Sequence, residues 1–177
     1  MLRSVLVLTC LAAVTQASCG FPNGTDTKLN WWQGTSTANA KLFSVDVIDP
    51  SGNPEYPINL KQALNIKLHL DNEQGIFTAG KLLLGITIWE YGGFSGCSWS
   101  EVPTFGLLDN LDACETAVKC PVQKGDQILM ANIDFTPFGS IISLLKDDAP
   151  YQIMIKLTDK NTNSYASIYA QARAKTK

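Results

Sequence analysis

The sequence predicts an all-β fold, a two-sheet antiparallel β-sandwich of the immunoglobulin-like type. Three observations carry this. Residues 63–71 alternate strictly, Leu64, Ile66, Leu68 and Leu70 against Asn65, Lys67, His69 and Asp71. That is the two-residue period of a strand with one dry and one wet face. Further short apolar runs follow, separated by turn-forming residues, and short strands so punctuated are the pattern of a sandwich. No stretch shows sustained helical periodicity, an internal repeat or low complexity.

At 177 residues the chain has the length of about one domain. With 45% apolar and 17% charged residues it has the composition of a packed globular protein. Fourteen basic against sixteen acidic side chains leave a charge of −2, so there is no basic excess to neutralise phosphates and no nucleic-acid partner is expected. One histidine, His69, leaves little room for histidine-based catalysis or zinc chemistry.

In chain order, residues 1–17 read as a secretory signal peptide. Arg3 supplies the positive start, an apolar run extends from Val5 to Val14, and Thr15 and Ala17 stand at positions −3 and −1 of a cleavage site. The run is too short for a membrane span of ~20 residues. A lipoprotein signal ending at Cys19 fits less well, because Gln16 stands where such signals carry an aliphatic residue. An N-terminal segment over 18–40 then precedes the sandwich at 41–177. Cys10 leaves with the signal, and an oxidising compartment turns Cys19, Cys97, Cys114 and Cys120 into disulfide formers. Four cysteines allow three pairings. Cys114 and Cys120, five residues between them, are expected as a local staple, which leaves Cys19 with Cys97 by elimination. Asn23-Gly24-Thr25 is the only glycosylation sequon, so Asn23 is the candidate glycan acceptor. The pattern does not place Trp31 and Trp32.

Strands are expected at 41–48, 63–71, 81–91, 127–136, 151–158 and 165–172. The run at 81–91 puts Leu82, Leu84, Ile86 and Ile88 on one face and Leu83, Thr87 and Trp89 on the other, so it is buried on both sides or at an interface. Turn chemistry stands at 49–54, 72–75, 124–126 and 159–163, the last joining two runs as a hairpin. The inner faces then carry Leu64, Ile66, Leu68, Leu82, Leu84, Ile86, Ile133, Phe135, Ile153 and Ile155. A slip of one residue would exchange the two faces.

Two apolar segments fit the strand pattern poorly: 92–118 and 138–145. Each is open to two readings, a short helix or turn folded onto the core, or a loop rimming an opening and touching a ligand or membrane. On the second reading the rim is Phe94, Trp99, Phe105, Phe138, Ile141, Ile142, Leu144 and Leu145.

Catalytic motifs are missing from the sequence. His69 lies on the wet face of its strand, a surface residue rather than a general base, and no G-x-S-x-G elbow accompanies it. Asp147 and Asp148 adjoin a turn rather than face each other across a bond. No phosphate loop, H-E-x-x-H or calcium loop is present. No enzyme activity, cofactor or metal is expected.

The segment Cys114-Glu-Thr-Ala-Val-Lys-Cys120-Pro121-Val-Gln-Lys-Gly125 resembles the Cys-x5-Cys-Pro-x-x-x-Gly/Asp stretch of the ML-domain, or lipid-recognition, family. Gly96-Cys97-Ser98-Trp99 followed by Leu107-Leu108-Asp109 is similar to the glycolipid-activator branch of that family. The order after Pro121 also matches: a strand, an apolar loop, Pro150-Tyr-Gln-Ile-Met-Ile-Lys156, a turn and a final strand. The resemblance covers roughly residues 41–172. Several relatives tie their first cysteine to one in the final strand, where this chain has none.

The resemblance implies a sandwich holding lipid between its sheets, secreted or delivered to lysosomes. Its ligand would be a sterol, phospholipid or glycolipid, with transient membrane contact and a receptor or hydrolase as partner. Physical reasoning agrees with it. Closed sandwiches pack their inner faces ~10 Å apart. Sheets parted at one end would instead enclose apolar space, where a lipid tail gains ~25 cal/mol per Å² removed from water. The expected function is therefore non-catalytic lipid binding and transfer. The alternatives are a secreted protein-interaction module with a solid core, and an activator presenting lipid to a hydrolase.

Overall fold

The computed structural model describes residues 19–93 and 96–177, so the expected signal peptide and Phe94 lie outside the described residues. The six predicted runs form the long strands β2 (Ala40–Ile48), β4 (Leu64–Asn72), β5 (Leu82–Tyr91), β8 (Gly125–Ile133), β9 (Ala149–Asp159) and β10 (Tyr165–Lys175). Short strands join them: β1 (Asn30–Gln33), β3 (Ile58–Asn59), β6 (Trp99–Glu101) and β7 (Leu111–Asp112). The larger sheet runs β1-β10-β9-β5-β6, with β3 on β10 and β7 on β5; the smaller runs β2-β4-β8. All pairings are antiparallel except β3 with β10. The fold is the predicted all-β sandwich.

Register follows from apolar alternation. Leu64, Ile66 and Leu68 stand opposite Ile133, Ala131 and Leu129 across β4–β8. Leu84, Ile86 and Ile88 stand opposite Leu157, Ile155 and Ile153 across β5–β9. Such cross-strand pairs on a buried face fix the register, because a slip would turn the whole set into water. The β9–β10 turn is held by Asp159, whose Oδ1 accepts from the Asn161 N–H at 2.9 Å and whose Oδ2 accepts from the Thr162 hydroxyl at 2.7 Å.

β2 departs from simple alternation. A register shift between Leu42 and Ser44 inserts a bulge, so the inward positions change from Leu42 to Val45 and Val47.

The segment 92–118 adds β6 and β7 to the edge of β5 and ends in a short helix, α1 (Ala113–Thr116), whose Cys114 N–H is capped by the Asp112 carboxylate. The segment 138–145 is a helical turn on the core: a 3₁₀ turn at Thr136–Phe138 leads into α2 (Gly139–Ile142). Ile141, Ile142 and Leu145 are buried in the core, which corrects their expected place on a rim. Their large apolar side chains find dry neighbours once the turn folds back. Disulfides join Cys19 to Cys97 and Cys114 to Cys120.

Candidate functional site

The site begins with side-chain size. The inward row of β10 reads Ala166, Ile168, Ala170, Ala172 and Ala174, and β8 contributes Ala131. Alanines opposite one another cannot fill the gap that leucine or isoleucine would fill at interior density, and space remains between the sheets.

Two cavities occupy that space. The inner one, about 70 Å³, is lined only by apolar side chains and one tyrosine, among them Val45, Ile66, Leu129, Ala131, Ile155 and Ala170. The second, about 90 Å³, continues toward the β9–β10 turn between Leu42, Leu70, Phe77, Leu82, Val122 and Ala166. Val118, Leu129, Leu157 and Ile168 belong to both walls, so the two lie end to end as a slot between the sheets. For scale, a dry cavity of ~150 Å³ accepts one benzene ring. The interior is slim, and it is not solid.

Three polar side chains in these walls are tied off by hydrogen bonds within the protein. The Tyr151 hydroxyl donates to the Lys146 carbonyl at 2.7 Å. Burial, with Glu90 adding to it, pushes the Tyr151 phenol up to about 12, so it brings no charge to the slot. The Asn72 amide donates to the Gly75 and Gln123 carbonyls at 2.6 and 2.7 Å. Gln33 spans the two sheets: its Nε2 donates to the Ala40 carbonyl at 2.8 Å and its Oε1 accepts from the Leu42 N–H at 3.0 Å. With these groups satisfied, the slot offers a guest hydrocarbon contact.

A third cavity, about 270 Å³, lies where the start of β1 meets β2. Its back wall of Leu29, Val45 and Val47 is shared with the inner cavity, and Thr27, Lys28, Trp31, Asp46, Pro54, Glu55 and Tyr56 complete it.

Of the residues read as inner-face, Leu64, Ile66, Leu68, Leu84, Ile133, Phe135, Ile153 and Ile155 line the inner cavity and Leu82 the second; Ile86 is buried but lines neither. Phe135 does so from just beyond the end of β8. The residues read as rim stand elsewhere. Trp99 packs its ring on Tyr91 with centroids 5.0 Å apart. Phe105 and Leu144 project into solvent, 83% and 62% exposed. Phe138 is half-buried against the core, and none of these lines any of the three cavities described.

Sequence reasoning missed Val45 and Val47, hidden by the bulge, and Leu29, which precedes β1. It also missed the alanines of β10, although their alternation from 166 to 174 was there to be read. Trp31 and Trp32 belong to β1: Trp31 lines the third cavity, and Trp32 stacks on Tyr169 outside the larger sheet, centroids 5.3 Å apart.

The titratable groups serve structure. His69 pairs with Asp126 at 2.8 Å on the outer face of the smaller sheet. Asp148 accepts a two-pronged contact from Arg173, Nε and Nη2 each at 2.6 Å. Asp147 accepts from the Thr176 and Lys177 N–H groups at 2.7 and 3.0 Å. These bonds hold both carboxyls below their usual range. Among the described residues no group of three or more His, Cys, Asp or Glu is placed to hold a metal, and no helix is long and apolar enough to cross a membrane.

No protein-family model and no curated protein matches the chain. Among solved structures, it is similar to a Niemann-Pick type C2 protein from Japanese carpenter ant, with TM-score 0.46 and 12% identity over 82% of this chain and 99% of that one. It is also similar to the C-terminal domain of wzt, with TM-score 0.41 and 10% identity over 84% and 78%. At such identities these are likenesses of backbone path.

Proposed function

We propose that this chain is a secreted lipid-binding and lipid-transfer protein that buries the hydrocarbon part of a lipid between its sheets and releases it chemically unchanged. The supporting observation is the apolar slot, where the Asn72 amide and the Tyr151 hydroxyl in its walls are already hydrogen-bonded within the protein. Each methylene moved into it from water gains ~0.8 kcal/mol, offset by the cost of ordering the chain. Release needs only that the same contacts be lost to a membrane of similar polarity. No nucleophile, metal or cofactor takes part.

Two disulfides suit the extracellular space or a lysosome. A glycan on Asn23 belongs to the same reading, as does a receptor or hydrolase that takes the lipid over. Transient membrane contact falls to the exposed Phe105 and Leu144. The resemblance of the Cys114–Cys120 segment to lipid-recognition proteins points the same way.

The test is native mass spectrometry of protein isolated from its source, followed by organic extraction. Co-purifying sterol, phospholipid, glycolipid or fatty acyl species are expected. Protein that is consistently empty and takes up no fluorescent lipid overturns the reading, and a stoichiometric protein partner without lipid would replace it with a protein-interaction module.

A further inference from the structure

The slot ends against a polar cavity that carries charges of both signs. Only Leu29, Val45 and Val47 separate the third cavity from the inner one. Gln33 hydrogen-bonds the β1–β2 seam farther along, in the wall of the second cavity, whereas these three side chains meet the third cavity with apolar surface alone.

The polar groups there divide into two kinds. The Tyr56 hydroxyl is fixed, donating to the Thr25 carbonyl at 2.5 Å and accepting from the Arg173 N–H at 2.8 Å. Its ring serves as wall. The Lys28 ammonium and the Asp46 carboxylate have no ion-pair or hydrogen-bond partner among the described residues, and Glu55 accepts a single bond, from Gln62 at 3.1 Å. The half-buried indole of Trp31 completes the lining.

We infer that this cavity receives the zwitterionic headgroup of a single-chain lipid, with Lys28 pairing with a phosphate and Asp46, Glu55 and Trp31 holding an ammonium. The inference rests on the lipid-binding reading above. Shape supports the single chain: the cavities lie in series, each sharing a wall with the next, and the inner two are slim. Charge supports the headgroup. Two carboxylates against one ammonium oppose a free fatty acid or a net anionic headgroup, while an aromatic face beside carboxylates attracts a quaternary or primary ammonium.

The test compares lysophosphatidylcholine with lysophosphatidylglycerol of the same acyl chain, below their micellar concentrations, by native mass spectrometry and calorimetry. The choline lipid is expected to bind about tenfold tighter. In the double variant Asp46→Asn, Glu55→Gln that ratio should fall to about twofold or less. Lys28→Gln should weaken both lipids, a second readout if the double variant does not fold. Equal binding, or preference for the glycerol lipid, overturns the headgroup assignment and leaves the lipid-binding reading standing. Discrimination that persists in the double variant, or binding of both lipids unchanged by Lys28→Gln, overturns the roles given to those side chains. Binding of neither lipid to the wild-type chain, joined by failure to take up any fluorescent lipid, overturns the lipid-binding reading itself.

Discussion

The sandwich has two seams, and they are built differently. Where β5 and β8 approach, the chain fills the gap with itself. Leu108 and Val102 run along the edge of β5, the Ile86 N–H donating to the Leu108 carbonyl at 2.9 Å and the Val102 N–H to the Ile88 carbonyl at 2.8 Å. Asn132 of β8 donates its N–H to the Ala117 carbonyl at 2.6 Å, Phe77 and Val122 exchange backbone bonds at 3.0 and 2.9 Å, and the Cys114–Cys120 disulfide closes the intervening loop. Where β1 and β2 approach, a single side chain, Gln33, reaches across, and alanines face the gap behind it. One seam is sealed with backbone bonds and the other is clasped by a side chain, so on the proposed reading the β1–β2 seam is the one a guest would part.

The largest expected effect comes from breaching the sealed seam. Leu108 is 0% exposed, and Leu108→Ala should cost about 2–5 kcal/mol of unfolding free energy in denaturant titration. An effect under about 1 kcal/mol would mean that this seam is no better packed than the other. Filling the space behind the clasped seam comes next. Ala170→Phe puts an aromatic ring into the inner cavity and should lower lipid uptake at least about tenfold, while overpacking costs about 1–3 kcal/mol. Undiminished uptake would move the binding site away from the slot.

Loosening the clasp should do less to stability and more to rate. Gln33→Ala removes two hydrogen bonds between the sheets and should cost about 1–2 kcal/mol, with faster lipid exchange between protein and vesicles. Exchange at the wild-type rate would mean that lipid does not pass between β1 and β2.

The smallest effect is acid, which reaches neither seam. The Arg173 side chain holds Asp148, and the Thr176 N–H holds Asp147, below the usual carboxylate range. The stability they contribute is present above the ordinary carboxylate pKa of about 4 and is lost as pH falls below it through the folded-state values. The melting temperature should therefore decline below about pH 4, and less steeply in Asp148→Asn, with lipid exchange near neutral pH unchanged in that variant.

Much of this architecture was legible in the residues. Alternation in 63–71 and 81–91 fixed which side chains of β4 and β5 face inward, because a strand has only two faces and one of them must be dry. The Asp159–Asn163 turn was readable because Asp, Asn and Thr bond their own backbone. The apolar turn at 138–145 admitted two readings, since periodicity over eight residues cannot say whether large side chains find a core or a rim. The bulge at Phe43–Ser44 left no signal either: it depends on how β2 pairs with β4, not on β2 alone.

Strand content, the inward faces of β4 and β5 and the cysteines available for pairing were thus settled by the amino acids themselves, because each depends on a residue and its near neighbours. Where the interior stays empty was decided only in three dimensions. A void is a property of facing surfaces, and Ala170 of β10 makes one only because chain folding sets it between the sheets, among Val45, Leu129 and Ala131.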